Sequence, residues 1–321
     1  MDNIMHKPEI SVIFTSYNHR EYLQQSLDAL INQSFKNFEI IIVDDCSTDG
    51  SQEVLKEYAS VDSRIRLYLN DSNSGSYVNS TNYGASLATA PFLIFAQCDD
   101  YASLMQLDSL ISVRKRHSEC KVVFSASALV NGVGEYICSD FNVRSNKFKK
   151  IVDENNVIKS RQATELLLNE CIIPNLGAAL VDRSLFNEIG GLSNSYKVLA
   201  DWDFWLECSL RTDFYYIKST LNNFRQHDTT IRSTIKVEMQ LSELYSMYKK
   251  FRDKNNKLSF TEINKSVGVL FWGLVSPISL SNLLSTFILS IKSVKFHSLQ
   301  PLYIYFGLFN LIFNRIRVKF F

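Results

Sequence analysis

Two adjacent carboxylates, Asp99 and Asp100, follow the run Phe92-Leu93-Ile94-Phe95-Ala96-Gln97-Cys98, which Pro91 opens. An apolar run with aromatic and β-branched residues reads as a buried strand. In open α/β sheets ligands bind in the crevice outside the carboxyl ends of the strands, so the pair is placed for a metal ion or a polar ligand. The plainer reading is an N-cap for the helix expected over 103–114, because an Asp there satisfies free backbone N–H groups. Capping needs one Asp, not two, and on these residues alone both readings stand. Asp201 in Asp201-Trp202-Asp203 poses the same choice. It is either a carboxylate able to take a proton or the cap of a helix over 202–210 whose Trp202, Trp205 and Leu206 share a face.

The elements that must position these groups are legible upstream. Ile10-Ser11-Val12-Ile13-Phe14 is a strand ending in the polar cluster Thr15-Ser16-Tyr17-Asn18. Tyr22, Leu23, Leu27, Leu30 and Ile31 recur at helical spacing, and Phe38 to Val43 is a second buried strand ending in Asp44-Asp45-Cys46-Ser47-Thr48-Asp49-Gly50. A βαβ unit of this kind implies a right-handed crossover and a parallel sheet, with two strands aiming carboxylates at one rim. A helix over 51–58, a strand over 65–69, a polar loop over 70–76 and a helix over 78–87 complete a β-α-β-α-β-α-β order. Val122-Val123-Phe124-Ser125-Ala126 reads as a further strand. The segment 139–156 is polar and basic without a period, and a helix begins at Ala163.

Composition narrows the function. At 321 residues the chain suits one large α/β domain or a domain with an extension. The net charge of +1, from 34 basic and 33 acidic residues, supplies no field for nucleic acid. The six cysteines lack C-x-x-C spacing, so neither a zinc site nor a disulfide framework is expected, and the polar N-terminus has no signal-peptide core. A cytoplasmic protein is expected. No G-x-G-x-x-G follows the first strand and no G-x-x-x-x-G-K-[ST] occurs, which removes the glycine-rich phosphate cradles. A diphosphate would then be handled through carboxylates and a hard divalent cation, Mg2+ or Mn2+. His6, His19 and His117 show no partner in the sequence and read as surface residues.

Taken in order, Ser11-Val12-Ile13 through Tyr17-Asn18, Asn32 through Gly50, Asn73-Ser74-Gly75, Asn82-Tyr83-Gly84, Asp99-Asp100, Gly190-Gly191-Leu192 and Asp201-Trp202-Asp203-Phe204-Trp205-Leu206 resemble the family 2 glycosyltransferases. The resemblance covers roughly residues 8–230 and implies the GT-A fold, a mostly parallel nucleotide-binding α/β sheet flanked by helices. The expected division is a donor half over 1–117, an acceptor half over 118–230, and a helical C-terminal region over 231–321.

The resemblance also implies roles. Thr15, Tyr17, Asp45, Asn82 and Asp99 would bind the nucleotide, with Asp45 accepting a hydrogen bond from the base and uracil the expected base. Asp99 and Asp100 would hold Mn2+ or Mg2+, Asp100 being the expected principal ligand. Gln97 stands where the family's metal motif starts with Asp, a departure that removes one charge. Asp201 would act as catalytic base, although Ala200 replaces the Glu that often precedes it, and one residue can hold both the base and the cap roles. Arg225 and His227 would contact the diphosphate, the alternative being a solvated strand end. The implied reaction is an inverting transfer from a nucleotide-sugar, a UDP-sugar by expectation, to a glycan or lipid-linked glycan in bacterial surface polysaccharide synthesis. Two alternatives accompany it: a non-catalytic nucleotide-sugar- or glycan-binding assembly subunit of the same fold, and, ranked last, a sugar-phosphate nucleotidyltransferase, whose Gly-rich loop is missing.

Beyond Glu262 no acidic residue follows, while Lys265, Lys292, Lys295, Arg315, Arg317 and Lys319 accompany apolar runs over 267–272, 283–291 and 302–313. Apolar surface with unopposed positive charge suits an anionic membrane face. The runs are too short or too interrupted to span, so a peripheral contact at the cytoplasmic face of the membrane is expected, or packing against the sheet or a second copy.

Overall fold

The computed structural model describes residues 7–154, 156–227, 235 and 237–255. The chain forms two compact units, one of residues 1–167 and 171–228, the other of 168–170 and 229–321. In the first, a sheet runs through β1 (Ile10–Ser16), β2 (Phe38–Asp44), β3 (Ile65–Leu69) and β4 (Phe92–Gln97), connected by α1 (Arg20–Ile31), α2 (Ser51–Val61) and α3 (Tyr77–Ser86). These four strands are parallel in the order β3-β2-β1-β4. Burial on both faces explains why β1 and β2 read as continuous apolar runs, and Ile10, Val12, Phe14, Ile40 and Ile42 join Leu23, Leu27 and Leu55 in the core.

The second half extends the same sheet with mixed direction. β6 (Val122–Val130) and β10 (Phe214–Arg225) are parallel, and β9 (Ala179–Asp182) lies antiparallel between β4 and β6. Two-residue β5 (Tyr101–Ala102) and β8 (Val157–Ile158) pair with β10, and β7 (Tyr136–Ser139) pairs with β6. Helices α4 (Gln106–Arg116), α5 (Asp140–Val143), α6 (Asn146–Glu154), α7 (Ser160–Leu167), α8 (Arg183–Ile189) and α9 (Ala200–Ser209) complete this unit. The stretch over 139–156, read as without a period, thus holds two short helices, and in α6 Phe148 and Val152 stand at an i, i+4 spacing and are buried.

Three close fits fix the layers. Gly84 lets α3 lie on the sheet, since a Cβ there would stand 2.6 Å from Ile13 Cγ2. Gly190 ends α8 in the left-handed region and Gly191 continues it, with φ of 90° and 78°. Asn82 of α3 then donates from Nδ2 to the carbonyl of Leu192 at 2.8 Å and accepts its N–H at 2.9 Å. The Asn82-Tyr83-Gly84 and Gly190-Gly191-Leu192 motifs are therefore the two sides of one joint.

In the second unit the described residues include α10 (Val237–Asn255), where the Tyr248 hydroxyl donates to the carbonyl of Leu168 at 2.7 Å. Among the described residues no helix is long and apolar enough to cross a membrane. The basic and apolar runs beyond Glu262, with the membrane and oligomer expectations attached to them, lie outside the described residues, as does His6.

Candidate functional site

The register aligns the rim. Thr15 stands between Val43 and Gln97 on neighbouring strands, and Ser16 beside Asp44. The polar ends of β1, β2 and β4 consequently meet at one edge of the sheet. Asn18 and Cys46 just beyond β1 and β2 adopt φ of 50° and 65°, a conformation costly for non-glycine residues. Side-chain bonds hold this arrangement: the Asn18 N–H donates to Ser47 Oγ at 2.9 Å, the Thr48 N–H to Asn18 Oδ1 at 2.8 Å, and Ser47 Oγ to Asp44 Oδ2 at 2.6 Å. Tyr17 between them is 44% exposed.

Asp45 accepts from Asn70 Nδ2 at 2.8 Å, from the Ser74 N–H at 3.0 Å and from Ser74 Oγ at 2.9 Å. Its carboxylate thereby pins the polar loop over 70–76 to the rim, and about one of its roughly four lone pairs remains for a ligand donor. Asn82, expected at the nucleotide, has both ends of its amide on Leu192 as described.

Asp99 and Asp100 have opposite fates. Neither caps α4, whose cap position is Met105, because the chain after them pairs into the sheet as β5 before the helix begins. Asp100 turns inward and is 5% exposed. Its Oδ1 accepts the Arg225 N–H at 2.8 Å and its Oδ2 accepts from Asn175. Burial, with the charge of Asp99 beside it, pushes its carboxyl well above the usual carboxylate range. Asp100 was expected as the principal cation ligand. In this structure both of its oxygens accept from donors of the protein, the Arg225 N–H and Asn175.

Asp99 points to a pair of imidazoles. Its Oδ2 lies 3.0 Å from His227 Nε2. Burial would raise its carboxyl, but the His227 hydrogen bond and the nearby His19 outweigh this and hold it below the usual range. Ligand atoms of His19, Asp99 and His227 all lie within 4.8 Å of one another. The rings of His19 and His227 meet edge to face at 5.4 Å, and that of Tyr22 lies 5.8 Å and 5.2 Å from them. An anionic carboxylate with two imidazoles is a donor set that fits a divalent cation. His19, read from the sequence as a surface residue, therefore belongs to the site. Its spacing to Asp99 carried no signal, because α1 and the sheet bring together positions 80 apart.

Arg225, expected at the diphosphate, is bonded within the protein. It is 2% exposed, and its guanidinium donates to the carbonyls of Asp99 at 2.8 Å and Gly132 at 2.9 Å and to Gln25 Oε1 at 2.5 Å. It also stacks over Tyr22 at 4.6 Å. These contacts make it a brace for the Asp99 loop and the turn at Gly132. Of that stretch, His227 meets the Asp99 carboxylate and Arg225 the Asp100 carboxylate, the latter through its backbone N–H.

Asp201 sits in the first turn of α9, where Leu199 holds the cap position. Its Oδ1 accepts the Trp202 N–H at 2.7 Å, so the carboxylate faces the positive end of the helix. Trp202 Nε1 donates to the Leu167 carbonyl at 2.8 Å and fixes the turn. Phe95 of β4 packs on Phe186 and Phe186 on Phe204 of α9, both at 5.3 Å, tying α9 to the strand that precedes Asp99.

A mixed sheet whose parallel half ends in an acidic rim, with a carboxylate presented by a helix of the second half, defines a GT-A type of α/β fold. S. aureus TarS (residues 1–349), solved in complex with UDP-GlcNAc, shares it with a TM-score of 0.64 at 19% identity over 85% of this chain and 74% of that one. The mannosyltransferase PcManGT of Pyrobaculum calidifontis, solved with GDP-Man and Mn2+, has a TM-score of 0.57 at 12% identity over 96% and 88%. The Glycosyl transferase family 2 profile matches residues 11–189, and the chain belongs to that family. TuaG of Bacillus subtilis, named for teichuronic acid biosynthesis, is 34% identical over 39% of this chain, and the glycosyltransferase EpsE of the same organism 30% identical over 47%. The chain spans about half the length of these two relatives, 48% and 51%. Glycosyltransferase MJ1057 of Methanocaldococcus jannaschii is 26% identical over 89% of this chain and 93% of its own.

Proposed function

We propose that this protein transfers a sugar from a nucleoside-diphosphate donor, a UDP-sugar, to a hydroxyl of a glycan or lipid-linked glycan in bacterial surface polysaccharide synthesis. The observation that carries the reading is Asp99, held ionised against His227 and His19 at the same rim as Asp45 and Tyr17. Asp45 offers its remaining lone pair to the base N–H, with Thr15 and Tyr17 beside it. Asp99, His227 and His19 would hold a divalent ion, and the chemistry such an ion supplies is neutralisation of the charge that develops on the departing diphosphate.

Asp201 takes the proton of the acceptor hydroxyl while that oxygen attacks the anomeric carbon and the bond to the diphosphate breaks. One displacement inverts the anomeric centre and needs no protein nucleophile. The relatives support the chemistry by name: TuaG is named for teichuronic acid synthesis and TarS was solved with UDP-GlcNAc. The basic, apolar C-terminal region would bring the enzyme to an anionic membrane bearing the acceptor.

Calorimetric titration with UDP, with and without Mn2+, tests this on the wild type and on Asp99→Asn. Binding that needs both the ion and Asp99 is the expected result. Failure to bind UDP with or without Mn2+ would overturn the UDP-donor reading and favour another nucleotide or a non-catalytic glycan-binding subunit.

A further inference from the structure

We propose that His19 is a direct ligand of the cation, so that the site is a two-imidazole, one-carboxylate set that takes a transition-metal ion in preference to Mg2+ and takes it without nucleotide. The proposal deepens the reading of Asp99 as the cation-holding carboxylate and rests on it.

The charge around the site decides the preference. Mg2+ demands near-ideal oxygen coordination and is held by carboxylates, waters and substrate phosphates. Here Gln97 supplies no charge, Asp100 is turned into the protein, and Asp99 alone offers an anionic oxygen. The remaining donors among the three are imidazole nitrogens, which suit later first-row ions and bind Mg2+ poorly. With a single carboxylate, nitrogen ligation must provide much of the affinity.

Pre-organisation decides the order. His19 precedes α1 in a turn closed by the Tyr22 N–H on its carbonyl at 3.0 Å, and its neighbours are tied to the β2 loop through Asn18 to Ser47 and Arg20 to Asp49. His227 follows Gln226, whose N–H donates to the Val130 carbonyl at 2.7 Å, and Arg225, which the Asp100 carboxylate holds. Cys98 Sγ lies 3.4 Å from His19 Nδ1 and fixes that ring, as second-shell partners of ligating histidines do. Tyr22 packs on both imidazoles under the Arg225 guanidinium. Three donors on such a scaffold form a site before any phosphate arrives, whereas one carboxylate needs the nucleotide to complete the shell.

Pulsed electron paramagnetic resonance of Mn2+ on the nucleotide-free full chain tests the proposal without an activity assay. The expected result is nitrogen coupling from two imidazoles, with Mg2+ displacing Mn2+ only in large excess. His19→Ala should leave coupling from one imidazole and weaken Mn2+ by at least about tenfold. Should that variant not fold, the wild-type nitrogen count and Mg2+ competition still decide. One coupled imidazole in the wild type, Mg2+ competing at equal concentration, or Mn2+ taken up only with UDP would each overturn the proposal. UDP titration of the Mn2+-loaded protein is read separately, so that loss of UDP binding with two couplings intact strikes the donor reading and not the ligand assignment.

Discussion

The carboxylate of Asp100 receives the backbone N–H of Arg225 across 125 positions of sequence, at 2.8 Å. It is a fastening between β4 and β10, and it makes Asp100 a positioning residue for the end of the strand that carries His227. Asp100→Asn keeps one acceptor and sets its NH2 against the other donor, so it should lower stability while leaving Mn2+ affinity close to wild type. Asp100→Ala leaves the Arg225 N–H without its acceptor and should cost about 1–3 kcal/mol, read as a lowered denaturation midpoint. A loss of Mn2+ in Asp100→Asn as deep as in Asp99→Asn would return Asp100 to the cation.

Asp201→Asn preserves the size of the side chain and removes its basicity. Turnover should fall by about 10²–10⁴ with UDP affinity unchanged, measured by steady-state kinetics and calorimetry on one preparation. Retained turnover would exclude Asp201 as the base.

Glu39 is a buried carboxylate in β2. Burial raises its pKa, but bonds from Thr89 Oγ1 at 2.7 Å, Ser11 Oγ at 2.7 Å, the Thr89 N–H at 2.8 Å and Arg66 at 3.0 Å outweigh that and leave it lowered. A depressed folded-state pKa contributes stability that is present above the unfolded value of 4.5 and lost as pH falls through the folded value. Glu39→Gln should therefore destabilise by about 1–3 kcal/mol at pH 7. The gap from wild type should close in melts taken below pH 4.5.

At the joint between α3 and the Gly-Gly turn, Gly191→Ala meets two obstacles, a φ of 78° and a Cβ placed 2.6 Å from Asn82 Oδ1. It should lower thermal stability more than Asn82→Ala, which loses two hydrogen bonds and about 1–3 kcal/mol. Donor affinity in folded Asn82→Ala is the informative reading, and a change within a few-fold would assign Asn82 to architecture alone.

The acidic rim was legible because its signal is local: apolar runs ending in carboxylates at 44–45 and 99–100 show which end of each strand opens to a ligand. The strand over 65–69 could be read from its residues for the same reason. What escaped was set by long-range pairing. His19 became a site residue only when α1 lay beside the end of β4, and the bond from Arg225 to the Asp99 carbonyl exists only because β10 brings the two together. The different surroundings of Asp99 and Asp100 are set in the turn after β4, where the Asp100 N–H donates to the Gln97 carbonyl, and by partners at 175, 225 and 227 that no local pattern announces. The mixed direction introduced by β9 was equally hidden, since a four-residue apolar strand carries no mark of its orientation.

The stack of Phe95, Phe186 and Phe204 works as a gauge block. Its ring separations of 5.3 Å, repeated twice, hold α9 at a set standoff from β4. With Asp201 as base and Asp99 at the leaving group, that standoff fixes how far the attacking oxygen lies from the bond it must break. A thinner side chain at Phe186 would leave both carboxylates in place and both substrates bound, yet out of reach of each other by a fraction of a bond length. An error near 1 Å of this kind costs about a hundredfold in rate, so on the proposed mechanism Phe186 would bear on turnover through α9 alone.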